Sequence, residues 1–399
     1  MEPWLIKVPR VLPERLFIND RDPILLNHAQ LFLLDQVASV SDPADFWHSY
    51  AMPLAHIATP LNYAFCALGA AHRHFLFSGP GENGSRDEIL RSEIIAIEKY
   101  NAAIAQIQDY ARQDHRGIDA HLPLICCVVF MCIEQLLGRY EESVRHLKAG
   151  CGLLRSSSEL PATSAPRDLR NAVLKVFYQF SNDAAFYNGE NVLGDLPFDY
   201  PTPDLGNRYE PFASYEEASS MLQRVDVIYN VSFASPVIIP EHQPSECCWL
   251  EMQETRALSS AREAFHIWNA RFKLLQQSDI PAPEQRPEDL SFALEQSVWT
   301  LVTELTTFDD AVSIESAQKV LSNAESVALM YQSQKHPSFT LGGDLLPALT
   351  LICMSCEDRE TQLRGVSVLR SLRRREGVWD SRELADECET YVLTGETPW

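Results

Sequence analysis

The sequence predicts an all-α protein built as an array of packed antiparallel helical hairpins. Apolar residues recur at threes and fours through most of the chain, alternating strand patterns are hard to find, and the 24 prolines fall between the periodic segments. A chain of 399 residues exceeds the usual size of a single hydrophobic core, so length points to two helical subdomains or one extended array. Residues 1–40 read as a lead-in, 41–188 as a first helical subdomain, 189–213 as an irregular loop and 214–399 as a second helical subdomain.

In "TPLNYAFCALGAAHRHF", Thr59 is placed to cap a helix and Pro60 to occupy its first position, where a missing N–H costs nothing. Leu61, Ala64, Phe65, Leu68 and His72 then share one face. A long amphipathic helix follows from Ser85, with Ile94, Ile97, Tyr100, Ile104 and Ile107 at threes and fours. "HLPLICCVVFMCIEQLLG" and "RYEESVRHLKAGCGLLRSS" form a hairpin divided at Gly138, the second helix carrying Tyr140, Val144, Leu147, Cys151 and Leu154 on one stripe. Residues 157–169 read as a turn-rich joint before another apolar helix. Gly, Pro and Asp interrupt any period over 189–213, and 276–291 is a second polar loop. The remaining helices are expected near 214–232, 248–275, 288–305, 311–334, 343–357 and 360–375.

Charge narrows the function classes. Lys and Arg number 33 against 55 Asp and Glu, a net charge of -22, so the average field repels phosphate and anionic lipid. Direct nucleic-acid contact is not expected, and an acidic surface suits a basic protein partner. Ten cysteines lie mostly within apolar runs, as free thiols in a reducing compartment do. The opening residues lack the pattern of a secretory signal, and the longest apolar run, 122–137, is broken by Glu134 and too short for a membrane span. The expectation is a soluble intracellular protein with no membrane contact.

No motif identifies a catalyst, a cofactor or a metal. "CMSC" at 353–356 lacks a second ligand pair and reads as core, one helical turn apart on an apolar face. His72 and His74 point to different helix faces, and His146 sits beside an apolar stripe, where an interhelical hydrogen bond is the simpler role. "GPGENGS" at 79–85 follows a helix and lacks the phosphate-loop lysine, "AGCGLL" is helix interior, and no G-x-S-x-G elbow occurs. Glu134 and Asp183 could act as bases in principle, yet solvated or capping roles are commoner for such acids.

The stretch "LRSLRRREGVWDSREL" concentrates arginine in an acidic chain. Leu363, Val366, Leu369 and Leu372 give a stripe beside it, and Arg373, Arg374 and Arg375 fall where the last turn of a helix would favour cations. Gly377 would then follow as a C-cap, and Asp380 with Glu383 has the form of a capping box for the next helix. On this reading the segment is a joint between two helices whose arginines pair with surplus acids. A nuclear import signal is the competing reading.

Several phrases in order resemble the regulatory domain of fungal Zn(II)2Cys6 transcription factors, the fungal-specific transcription factor domain. "DFWHSYAMPLAHIATPLNYAFCALGAAHRHF" is similar to its opening block, "KYNAAIAQI" to its Tyr-Asn-x-Ala-Ile segment, and "CIEQLLGRYEESVRHLKAGCGLL" to its Glu-x-x-x-Gly-x-Tyr block. "FTLGGDLLPALTLICMSCEDRETQLRGVSVLRSLRRREGVWDSRELA" resembles its C-terminal block, whose signature would comprise Arg373, Arg374, Arg375, Glu376, Gly377, Trp379 and Asp380. The matches run from about residue 44 to 390. The family's zinc cluster of six cysteines has no counterpart before Cys66, so neither zinc nor base contact carries over.

The resemblance implies a nuclear regulator, acting through protein partners such as a DNA-binding relative, with a small-molecule effector and control of a secondary-metabolite pathway within its scope. Two alternatives stand beside it: a helical scaffold recruited as an enzyme or small-molecule-binding protein in a biosynthetic pathway, or a gene model that omits an upstream zinc-cluster exon. A fold does not choose among them, because function resides in sites.

Overall fold

The computed structural model describes residues 22–33, 46–78, 85–111, 121–156, 164–188, 192, 204–234, 246–278, 280, 287–305, 311–332, 334 and 336–396. Among them are fourteen α-helices and three very short strands, and the all-α expectation holds. The chain forms two compact units, Met1–Ala184 with Phe339–Gly342, and Ala185–Ser338 with Gly343–Trp399.

The first unit contains α1 (Asp22–His28), α2 (Met52–Ala55), α3 (Thr59–Ser78), α4 (Arg86–Ala111), α5 (Leu122–Leu136), α6 (Tyr140–Ser156) and most of α7 (Ser164–Asn188). Helix α3 is buried continuously from Pro60 to His72, and α1, α4 and α5 pack on it. A surface apolar on every side except for Asn62 and His72 makes that possible, since a helix hydrophobic on all sides gains by being covered on all sides. Trp47 and Phe65, both fully buried, meet edge to face with ring centroids 6.3 Å apart.

Local capping matches local sequence. Ser85 and Glu88 close a reciprocal box at the start of α4: the Ser85 N–H donates to Glu88 Oε2 at 3.0 Å and the Glu88 N–H to Ser85 Oγ at 3.2 Å. The α5–α6 connection turns at Gly138, whose φ of 71° lies in the left-handed region. Its N–H donates to Gln135 O at 3.1 Å and the Arg139 N–H to Glu134 O at 2.8 Å, the paired bonds of a Schellman motif. The expected joint at 157–169 is shorter than predicted, because α7 already begins at Ser164. Pro166 falls in its first turn, where a helix needs no N–H donor.

Two glycines of α6 provide a test of packing. A Cβ on Gly150 would lie 2.3 Å from Phe177 Cζ, whereas a Cβ on Gly152 would meet nothing within 4 Å. Gly150→Ala is therefore expected to lose about 1–3 kcal/mol through overpacking. Gly152→Ala should gain roughly 0.5–1 kcal/mol from helix propensity. Thermal melting of the two variants beside the parent checks the opposite signs.

The second unit holds α8 (Tyr215–Ala234), α9 (Glu246–Gln276), α10 (Pro287–Val302), α11 (Ile314–Gln332), α12 (Leu345–Ser355), α13 (Arg359–Ser371) and α14 (Ser381–Thr394). Helices consecutive in the chain pack on one another: α8 on α9, α10 on α11, α12 on α13 and α13 on α14. One core centres on Trp268, stacked on Phe265 and Phe272 at 5.5 and 4.8 Å, with its Nε1–H donated to Ala218 O at 2.8 Å. Another is formed by Leu321, Leu346, Leu349, Val366 and Leu369, and includes Cys353, Cys356 and Cys388.

Of the expected 189–213 loop, Val192 and residues 204–213 are described. There the Arg271 Nε–H donates to Glu210 O at 3.1 Å, and its guanidinium lies 4.1 Å from the Phe212 ring centroid. Most of the expected 1–40 lead-in and of the "GPGENGS" turn lies outside the described residues.

The predicted end of the 360–375 helix is corrected. Helix α13 stops at Ser371, and Leu372 is already extended. Arg374–Glu376 form β2 and Trp379–Asp380 form β3, paired antiparallel with Arg375 opposite Asp380 and Glu376 opposite Trp379. With β1 (Ser338–Thr340) they make a sheet in the order β1-β2-β3. Gly377, expected as a helix C-cap, is instead the first residue of the two-residue hairpin loop, with φ of 56°.

Candidate functional site

The signature residues Arg373 to Asp380 lie together at the base of α12 and α14, within the second unit. Asp380 caps α14, accepting from the Arg382 N–H at 3.0 Å, but among the described bonds Glu383 does not return the second bond of the expected capping box. Arg375 pairs with Asp380 at 3.1 Å, Trp379 packs against the core, and the Arg373 carbonyl accepts from the Ser338 N–H at 2.9 Å. On α13, the exposed Arg370 reaches Asp386 and Glu389 of α14, each at 2.9 Å.

At the centre is a buried ion pair. Arg374 is 3% exposed and Glu376 0%, and the Arg374 Nε–H donates to Glu376 Oε1. Arg374 also donates to Ser338 Oγ at 3.2 Å, and its guanidinium lies 4.0 Å from the Tyr331 ring centroid. Burial opposes the charge on Arg374, but attraction to Glu376 and Tyr331 outweighs it and raises the guanidinium pKa.

Glu376 in turn accepts the N–H groups of Asp344, Leu345 and Leu346 at 2.9, 3.1 and 2.9 Å through Oε2. It thereby satisfies donors that the first turn of α12 leaves unpaired, at the positive end of the helix dipole. Asp344 occupies the capping position of α12 without capping it, since Glu376 has taken that role. Asp344 itself stays exposed.

Two further carboxyls lie nearby. Asp226 of α8 and Glu295 of α10 hydrogen-bond to each other, and the Trp299 Nε1–H donates to Asp226 Oδ1 at 2.9 Å. Burial, above all, pushes Asp226 up to about 7. Burial with the charges of Asp226 and Asp344 carries Glu295 well above the carboxylate range. The sequence reading named none of these three. Each sits in an ordinary helical pattern, and only packing brings them together.

The other residues singled out from sequence are dispersed through the structure. His72 is fully buried with Nδ1 3.1 Å from His28 Nε2, and His74 donates to Ile89 O at 3.2 Å. Burial, then Arg73, drives His28 down to about 4. His146 makes the expected interhelical bond, its Nε2 lying 2.5 Å from Tyr100 Oη. Tyr100 also bonds Glu134, whose carboxyl burial raises, while burial lowers His146. The side chain of Asp183 lies outside the described residues.

Cys353 and Cys356 are both buried in the core, but Cys356 has left the helix and pairs through its backbone with Val312. Among the described residues no three His, Cys, Asp or Glu side chains group to hold a metal, and no helix is long and apolar enough to cross a membrane. A recess of about 310 Å³ beside α4 is lined by Asp87, Leu90, Arg91, Ile94 and Ile95, all from that one helix.

Compared with protein-family models, with curated proteins and with solved structures, the chain matches none.

Proposed function

We propose that this chain is a transcription-regulator-like protein of the fungal type that acts through protein partners in the nucleus. The observation that carries the reading is the placement of the "RRREGVWD" phrase. Its arginines face inward or pair with acids of the same unit, so the most basic stretch of an acidic chain offers no free cationic face to phosphate. The chain as a whole carries a net charge of -22, which suits basic protein partners. The ordered resemblance of four segments to the fungal regulatory domain supports the same reading and brings with it a secondary-metabolite pathway as the controlled target.

Affinity purification from the native host, with expression profiling of a deletion strain, tests it. Transcription proteins among the partners and altered expression of a gene cluster are expected. A chain excluded from nuclei, with no such partner and unchanged expression, overturns it. The arginines have their own test. Converting Arg373, Arg374 and Arg375 together to Gln should lower the melting temperature by several degrees, since it strips a buried ion pair. Loss of nuclear accumulation with unchanged melting would make the segment an import signal instead.

A further inference from the structure

We propose that the outer face of α4 is an interface on which a second copy of this chain docks antiparallel, the two copies related by a two-fold axis. Helix α4 packs on α3 and buries Ser92, Ala96 and Ala103. On its outer side, Leu90 is 54% exposed and Ile94 47%, one turn apart along the recess of about 310 Å³. Two large apolar side chains standing together in water gain by being covered.

Charge decides what covers them. Arg86, Leu90, Ile94 and Glu98 form one row of the helix at four-residue spacing, and all four are exposed. The row carries a cation at one end, an anion at the other and two apolar residues between. Reversed, it is its own complement. An antiparallel copy sets Leu90 against Ile94 and Arg86 against Glu98, each pair occurring twice because a two-fold interface is isologous. Helices that cross at about 50° bring rows of this spacing alongside each other.

The end charges are available for this use. Neither Arg86 nor Glu98 makes an ion pair among the described residues, whereas Glu93 of the same helix is engaged by Arg139 at 3.6 Å. Asp87 and Arg91, on the adjoining row, line the recess and balance each other in sign. A uniformly basic or acidic partner would satisfy one end of the row and oppose the other; a second copy satisfies both. The net charge of -22 on each copy resists the approach, but that repulsion is long-range and is screened beyond about 8 Å at physiological salt. One helix face from each copy is small beside a standard interface, so the dimer is reversible and of micromolar affinity. It stands independently of the regulatory reading.

Sedimentation velocity of the full-length chain over micromolar concentrations, in about 0.15 M salt, reads the association. A monomer–dimer equilibrium is expected. Arg86→Glu sets like charges against each other at both ends of the interface, and so does Glu98→Arg. Each should weaken the dimer by about tenfold or more. An equal mixture of these two variants restores opposite charges at both ends and should associate as the wild type does, as should the double variant R86E/E98R. Recovery in the mixture also shows that both variants fold. Arg86 opens α4, where an acid suits the helix dipole, and Glu98 is exposed, so the fold should tolerate either change. Leu90→Gln should likewise weaken association while leaving thermal melting unchanged. A wild type that stays monomeric, single variants that associate as the wild type does, or a mixture that fails to recover would overturn the interface.

Discussion

Glu376→Ala is expected to destabilise the second unit by about 3–5 kcal/mol, the usual cost of leaving a buried charge without its partner. The carboxylate meets Arg374 and three backbone N–H groups at the start of α12, all in a setting where Glu376 itself is 0% exposed. Removing it strands a guanidinium and leaves those donors without an acceptor. Urea unfolding followed by circular dichroism measures the loss, and hydrogen exchange in α12 locates it. A double replacement, Arg374→Met with Glu376→Leu, should recover part of the stability, because an apolar pair of similar volume carries no desolvation penalty. The pairing of β2 with β3 and the Asp380 cap should survive it. A loss below about 1 kcal/mol for the single variant would place the pair with exposed salt bridges and contradict its burial.

Trp268→Ala should cost a similar amount, about 3–5 kcal/mol, for a different reason. The indole is fully buried between Phe265 and Phe272, touches Phe292 edge to face and donates to the Ala218 carbonyl of α8. Its removal opens a cavity between α8 and α9 and takes away the bond that ties them at Ala218. Trp268→Phe keeps most of the apolar volume but loses the hydrogen bond, so it should cost about 1–2 kcal/mol. Melting of the three proteins side by side checks the order, parent above Phe above Ala. Equal melting of the two variants would show that the N–H contributes nothing.

The helices were legible in the sequence because their determinants are local. Ser85 begins α4 and Gly138 turns the α5–α6 hairpin in the structure as the pattern implied, each through bonds within a few residues of itself. The long stripe of α6, from Tyr140 to Leu154, needed only a 3.6-residue period. Asp380 also needed only its immediate successors to act as a cap.

The arginine segment shows where local reading ends. Arg373 to Arg375 looked like a last helical turn because cations and a nearby glycine fit that role, and no alternating pattern of three residues could argue otherwise. The chain takes an extended form there because the Arg373 carbonyl meets Ser338, and Glu376 finds the open end of α12. Both partners are more than thirty residues distant in sequence. Asp226, Glu295 and Asp344 were invisible for the same reason, since each belongs to an unremarkable helix or its cap.

By itself, then, the sequence determined the helices, some of their caps and the acidic charge balance, properties set by residue type and short-range spacing. Tertiary structure alone decided which charges would be buried together, because the penalty for desolvating a carboxyl or a guanidinium depends on what other parts of the chain are brought against it. That is how the most basic stretch came to serve an internal ion pair.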